Sequence, residues 1–377
     1  MNIYNFLILS KMFMQNTIDI YFKIFSLKLF VLLLTIIVSC SSDPIIVGST
    51  GSNNGQNNGS GNSSGGSGNT TSILNIDNNL NKVFFTTNGI GYVIGDGIVL
   101  KTLDNGITWA KVKESSSTNF TSIYFENPQT GLIGGGDGYN SYLFLTTDGG
   151  VTWAEINSFW NSNESLKNMA ILSANSAQRI MTFINTYPNS SQVFGKVYRF
   201  NSTDSENWKS HDLKSKKPGI KSATIHKNLT YVASAPYWTG TNYETSIFVS
   251  DFFSNKINFE EYSLDYNIEI NDLYFSDNYG YFVADEGRIG ISSNFKDWTI
   301  KTLNVNAIQN LKCIEFISDE IGFILESNGK LLKTIDSGFN WTEHLNFNNA
   351  DFNDFFLLSE NKMLIIGNDG FLNIFEY

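Results

Sequence analysis

The sequence is poor in the side chains that most often do chemistry or grip phosphate. It has three His, two Cys and three Arg (Arg179, Arg199 and Arg288) in 377 residues. His211, His226 and His344 stand in unlike contexts with no metal-ligand spacing, so zinc chemistry and a Ser-His-Asp triad lack support. Two Cys in different settings make no disulfide framework: Cys40 closes an apolar run near the N-terminus, and Cys313 sits in the strand-like "LKCIEFIS", where a buried thiol is expected. With a net charge of −11 and so few Arg, the chain cannot neutralise a row of phosphates, which excludes nucleic acid as a partner. No glycine-rich phosphate loop precedes a helix, because the Gly-rich run at 51–67 is linker. No cofactor and no metal are expected.

Proline is scarce as well, at 5, while Phe (30) and Tyr (17) are plentiful and the apolar runs are bounded by Asn, Asp, Ser and Gly. Aromatic residues suit strands and the small polar ones suit turns, so this balance reads as many short strands. The length then fits one large all-β domain.

The first 39 residues stand apart. "LKLFVLLLTIIVSC" places Lys28 before an apolar stretch of signal-peptide length, too short to span a membrane comfortably. Its end, "IVSC" (Ile37 to Cys40), resembles the lipobox of bacterial lipoproteins, which implies removal of residues 1–39 and lipidation of Cys40. The long lead before Lys23 points to translation starting at Met12 or Met14. Removal of 1–39 takes three Lys and one Asp with it, moving the charge from −11 to −13. Residues 40–71 are the lipidated Cys and a Gly/Ser/Asn-rich tether, a flexible coil with a span of roughly 30 Å. Abundant Asn, Ile and Phe in a lipoprotein resemble products of Bacteroidota, so the expected location is the cell envelope, anchored by lipid to the outer membrane.

Residues 72–377 are repetitive. "KTLDNGITW" at 101–109 returns as "TTDGGVTW" at 146–153 and "KTIDSGFNW" at 333–341, with weaker copies at Ser202–Trp208, around Asp251 with Phe259 in the Trp position, and at Ser292–Trp298. The anchors Asp104, Asp148, Asp204, Asp251, Asn294 and Asp336 are 42 to 56 residues apart, which suits one four-stranded blade per repeat. Before several of them stand a Gly, an apolar run and a Gly-containing turn: "GYVIGDG" at 91, "GLIGGGDG" at 131, "GYFVADEG" at 280 and "GFILESNG" at 322. Continuous apolar runs mark strands covered on both faces, and the Asp-Gly and Asn-Gly pairs supply the positive φ of a tight hairpin. In the turn between a unit's third and fourth strands, the carboxylate can accept backbone N–H bonds, Gly can take the left-handed conformation and Trp can cover the hairpin.

These motifs resemble Asp-boxes, or BNR repeats, and "GYVIGDGIVLKTLDNGITW" is most similar to the propellers of the photosystem II assembly and stability factor type. The resemblance implies an all-β, seven-bladed β-propeller over 72–377. It makes Asp104, Trp109, Asp148, Trp153, Asp204, Trp208, Asp336 and Trp341 structural Asp-box residues. Units fall near 82–113, 120–157, 167–213, 221–264, 271–303 and 312–346, and the tail from Phe352 supplies three strands. "SILNID" at 72–77 is expected to close the ring by pairing onto the last blade, which removes an exposed sheet edge. Photosystem assembly itself does not transfer, because members of that family meet their client through a basic surface and this chain is acidic.

Function is expected on the face opposite the Asp turns. Three consecutive units have long connections between their second and third strands: "GGGDGYNSY" at 134–142, "NTYPNSSQVFG" at 185–195 and "SAPYWTGTNYET" at 234–245. With "NSFWNSN" they gather Tyr139, Tyr142, Trp160, Tyr187, Tyr237, Trp238 and Tyr243, rings suited to binding a protein or a glycan. The alternative is an Asp-box glycoside hydrolase, whose carboxylates would come from Asp96, Asp137, Asp285, Glu286 or Asp369. A sialidase would need an arginine triad and an Arg-Ile-Pro element, and Arg288 is followed by Ile-Gly.

Overall fold

The computed structural model describes residues 76–86, 89–137, 141–156, 166–173, 180–189, 192–201, 204–213, 219–251, 258–264, 267–303, 310–347 and 350–376, with only the backbone of 141 and 166–212. All belong to one compact unit, Ile46–Tyr377. They are strands and turns apart from short 3-10 stretches, at Gly89 and at Asp285–Gly287, and no described helix is long and apolar enough to cross a membrane.

Every sheet is an antiparallel meander. β1 (Leu80–Phe85), β2 (Gly91–Thr102), β3 (Ala110–Phe125), β4 (Gly131–Gly136), β5 (Ser141–Thr146) and β6 (Ala154–Glu155) form one six-stranded sheet. A four-stranded sheet follows from β7 (Leu166–Ser173), β8 (Ile180–Asn189), β9 (Gln192–Asn201) and β10 (Asp204–Asp212). In the next, β11 (Ile220–His226) and β12 (Leu229–Ser234) are separated from β15 (Ser246–Asp251) and β16 (Glu260–Ser263) by a two-stranded hairpin, β13 (Tyr237–Trp238) and β14 (Tyr243–Glu244). β17 (Ile270–Phe275), β18 (Gly280–Ala284), β19 (Arg288–Ser292) and β20 (Thr299–Thr302) form a fourth sheet. β21 (Leu311–Phe316), β22 (Gly322–Glu326), β23 (Lys330–Thr334) and β24 (Thr342–Asn346) form a fifth, and β25 (Phe352–Ser359), β26 (Lys362–Gly367) and β27 (Leu372–Glu376) a last, three-stranded one.

The fold is an all-β propeller, with a correction to the count: where seven blades were expected, five stand as separate sheets, the four four-stranded ones and the three-stranded last, beside the six-stranded first sheet. The reason lies in β3. Its first half pairs with β2 (Ala110 opposite Lys101) and its second with β4 (Phe125 opposite Gly131), so the first two expected units share one sheet. The stretch between, "ESSST" at 114–118, contains no Gly or Pro to interrupt the strand.

Packing is organised from the inside outward. The innermost strands touch in the circuit β1, β3, β7, β11, β17, β21, β25 and back to β1. Six of them carry a register shift, at the second residue in five (Asn81, Lys221, Asn271, Lys312 and Asn353) and at Thr121 in the second half of β3. At three of these bulges an Asn side chain donates to a carbonyl of the next inner strand: Asn81 to Phe120 O (2.8 Å), Asn271 to Leu311 O (2.8 Å) and Asn353 to Leu80 O (2.9 Å). The following residue repeats the device with a carboxylate. Asp272 Oδ2 accepts from Ile314 N at 3.1 Å and Asp354 Oδ2 from Val83 N at 3.0 Å. A bulge re-aims one side chain out of the pleat, and here it frees a polar group to stitch neighbouring strands.

The closing strand expected at 72–77 falls largely outside the described residues, and Ile76 and Asp77 belong to no strand. Ile76 packs with Leu364, Ile366 and Leu372, and Gly370 N donates to Asn78 O at 2.9 Å. Lys82 pairs with Asp354 at 3.2 Å. Cys313 is buried and unpaired, as its apolar setting implies.

Candidate functional site

The best-formed local structures are the Asp turns. In the first, Thr102 Oγ1 donates to Asp104 Oδ1 (2.7 Å) and accepts from Gly106 N (2.9 Å). Asp104 also accepts from Thr108 N (2.8 Å) and Thr108 Oγ1 (2.6 Å), and Trp109 Nε1 donates to Gly106 O (2.9 Å). Asp148 and Asp336 repeat the Thr–Asp–Gly bonds, with Asn340 in place of the second Thr in the latter; Trp341 Nε1 also donates to Gly338 O (3.0 Å), whereas the buried Trp153 Nε1 has no such bond. Gly106, Gly150 and Gly338 all have positive φ at the same point, which explains the Gly of the motif. Partial burial opposes charge on these carboxylates, but the bonds from Thr108, Thr152 and Asn340 outweigh it; the carboxyls are held low, that of Asp148 at about 2.

These turns are stitched to the preceding strands and have no spare chemistry. Tyr92 Oη donates to Gly149 O (2.8 Å), Lys101 Nζ donates to the same carbonyl (2.6 Å), and Tyr281 Oη donates to Ser337 O (3.0 Å). Replacing Asp148 by Ala should lower the unfolding free energy by about 2–3 kcal/mol, since it orphans Thr146, Thr152 and a backbone N–H. Urea unfolding followed by Trp fluorescence measures it, and a loss below about 0.5 kcal/mol would refute the staple.

Of the seven rings expected to converge, three come together. Tyr237 and Trp238 on β13 pair with Glu244 and Tyr243 on β14, in the loop between β12 and β15. Trp238 and Tyr243 are each 54% exposed, with ring centroids 5.2 Å apart. Tyr237 plays a different part: its ring is half-buried and its hydroxyl bonds Ser246 Oγ (2.9 Å) and the Glu261 carboxylate, which fixes the hairpin to the blade. Tyr142 lies on β5, its hydroxyl donating to Asp137 Oδ2 at 2.8 Å. Tyr139, Trp160 and Cys40 lie outside the described residues; Tyr187, on β8, and Asp204 and Trp208, on β10, are described only in backbone.

Four of the five carboxylates a glycosidase would use are engaged locally, Asp369 being the one left out, with only its backbone N–H bonded, to Asn79 (3.3 Å). Asp96 accepts from Asn79 (3.0 Å), Asp137 from Tyr142 and Asp285 from Asn271 (2.8 Å), while Glu286 pairs with Arg288. Among the described residues no group of three or more His, Cys, Asp or Glu is placed to hold a metal.

The sequence reading missed a cleft of about 490 Å³ between the β11–β12–β15–β16 blade and the turn after β19. The register sets Leu229 opposite Asp251, Tyr231 opposite Val249, and Val249 opposite Glu260. Alternation then puts these side chains, with Tyr262, on one face, turned to Asn294, Phe295 and Lys296. Phe295 has φ +64, unusual for a bulky residue, and packs against His226 (5.2 Å) and Phe275 (5.9 Å). The signal was present in the fifth turn, "SSNFKDW", which is one residue shorter than the turns at Asp104, Asp148 and Asp336 and has Phe-Lys where they have Gly.

Solved structures share the architecture. "YCF48 bound to D1 peptide" superposes with a TM-score of 0.62 at 18% identity, over 81% of this chain and 95% of that one. YCF48 from Cyanidioschyzon merolae gives 0.60 at 15% identity, over 81% and 98%. No protein-family model matches the sequence, and no curated protein matches it. At this identity the likeness establishes the propeller architecture of the YCF48 type and leaves the partner to be argued from this chain's own surface.

Proposed function

We propose that this chain is a non-catalytic, protein-binding propeller, tethered to an envelope membrane through a lipidated Cys40 and the 40–71 linker, with the Asp turns acting as Asp-box scaffold. The observation that carries the reading is the exposed Trp238–Tyr243 pair. Two large rings held in water on a paired hairpin cost hydrophobic free energy unless something covers them, and such rings give contact area at small entropic cost. Tyr237 supports the reading by tying the hairpin down. The YCF48 structure with a bound D1 peptide adds that a propeller of this architecture can take a peptide.

Placing a photo-crosslinking phenylalanine analogue at position 238 of the full chain, in the producing cell, tests the reading. We expect one or a few discrete protein adducts that a Tyr243→Ala change depletes about tenfold while the melting temperature stays within a few degrees. Absence of adducts, or adducts insensitive to Tyr243→Ala, would refute it. Loss of the anchor by Cys40→Ser should release the chain from the membrane fraction; retention there would refute the tether.

A further inference from the structure

We infer that the rim carrying the Asp turns at 104, 148 and 336 is a membrane-contacting surface, whose exposed apolar tips enter the headgroup layer of a zwitterionic bilayer. This rests on the lipid tether proposed above and adds an orientation to it. Five of the eight exposed large apolar side chains among the described residues lie on these three turns: Leu103, Ile107, Val151, Ile335 and Phe339, between 54% and 72% exposed. They recur at fixed places in the motif. Ile107, Val151 and Phe339 each follow the glycine of positive φ, and Leu103 and Ile335 each precede the Asp.

The bonds that organise each turn hold these side chains in matching positions on their blades. Phe339 also meets Tyr279 edge-on, with ring centroids 5.9 Å apart. The inner-strand circuit runs β21, β25, β1, β3, so the three turns stand on one arc of successive inner strands. Positions repeated by rotation about one axis lie in one plane perpendicular to it, as contact with a flat surface requires.

Three observations make lipid the occupant. First, the chain outside the described fold leads back through the 40–71 tether to the lipidated Cys40, which keeps the propeller within roughly 30 Å of a bilayer. The chain enters the described fold beside Gly370, on the face opposite the Asp turns, and a six-residue strand such as β1 is about 20 Å long, within that reach. Second, the tips carry no free charge. Within 102–109, 146–153 and 334–341 the only ionisable side chain is the Asp, whose carboxylate is spent inside the turn. A molecule of −11 without basic tips is repelled by an anionic surface, which leaves zwitterionic lipid. Third, the tips stand on separate blades. A folded partner would have to match all three at once, whereas fluid lipid closes round each one independently. In this orientation the Trp238–Tyr243 hairpin, a connection between second and third strands, points away from the membrane toward its partner.

The test introduces Ile107→Cys, Val151→Cys, Phe339→Cys and, on the opposite face, Tyr243→Cys, one at a time, into the full chain as processed and lipidated by the producing cell. Each is labelled with an NBD dye in phosphatidylcholine vesicles that contain phosphatidylcholine spin-labelled near the headgroup end of an acyl chain. Cys313 is buried, and the unsubstituted chain gives the background. We expect quenching at the three rim positions about threefold greater than at 243. Leu103→Asp with Ile335→Asp, at exposed positions that leave the core untouched, should bring the rim labels down to the level of 243. Equal quenching at all four positions, or rim quenching that survives the two Asp changes, would overturn the inference. So would a chain dimer or a discrete protein adduct from a photo-crosslinking phenylalanine analogue at position 107 in the producing cell, which would give the rim to a second copy or to another protein. The two readings fail separately: a chain that floats with the vesicles while its rim labels stay unquenched keeps the tether and sinks the rim, and a chain that does not float with them removes both.

Discussion

Gly370→Ala should unfold at a much lower urea concentration than the native chain, with a loss of more than about 3 kcal/mol. A Cβ at this position would lie 1.7 Å from Ile76 O, and Gly370 has φ +69, a conformation that already costs a non-Gly residue about 1 kcal/mol. The clash cannot be relieved by a side-chain rotation, because the obstructing atom is backbone and Ile76 is itself packed among Leu364, Ile366 and Leu372. Gly240→Ala separates the two causes. It has φ +110 and nothing within 4 Å of where a Cβ would stand, so only the conformational cost of about 1 kcal/mol is expected there. Equal losses at the two sites would mean that the contact between Ile76 and Gly370 contributes nothing, and that the two ends of the described fold are not locked together.

That lock was only half legible from the residues. The repeating Asp turn gave the number of strands per unit and the place of each Gly, because those features follow from local backbone chemistry that a short motif encodes completely. Thr102, Asp104, Gly106 and Trp109 satisfy one another within eight residues. How units join is a matter of pairing between segments, and there the reading missed the unbroken β3 that merges the first two. The inner-strand stitching by Asn81, Asn271 and Asn353 was equally silent, since an Asn in a strand looks like an unfavourable residue until its bulge is seen.

The candidate site divides the same way. Aromatic residues in the long 234–245 connection pointed to an exposed cluster, and Trp238 and Tyr243 form one. Composition could not distinguish these rings from Tyr237, whose hydroxyl is spent on Ser246 and Glu261. The cleft borders a fifth turn with Phe295 and Lys296 where the turns at Asp104, Asp148 and Asp336 have a glycine. Absences become visible only once the units are laid in register.

A second large effect concerns pH. Glu315, on inner strand β21, is pushed up to about 8, by burial first and then by the Asp354 carboxylate, with Asp272 adding to it against Lys82 and a Leu357 N–H bond. Asp272 is raised to about 6, again chiefly by burial. A carboxyl whose folded pKa lies above its unfolded value favours the fold while protonated; the stability it supplies is complete below about pH 4 and is lost as pH rises toward 8. The Asp turns act in the opposite direction. Asp104, Asp148 and Asp336 are held low, so their stabilisation is present above about pH 4 and disappears as pH falls toward 2. The stability maximum is therefore expected near pH 4–5, with an alkaline limb set by the inner strands. Glu315→Gln should flatten that limb, raising stability at pH 8.5 by about 2 kcal/mol, a figure reduced from the full shift because the side chain keeps some contact with water. The exposed Glu320→Gln should leave the profile unchanged. Urea midpoints measured from pH 4 to 9 decide it: an alkaline limb that is as steep in the Glu315→Gln chain as in the native one would remove Glu315 as its cause.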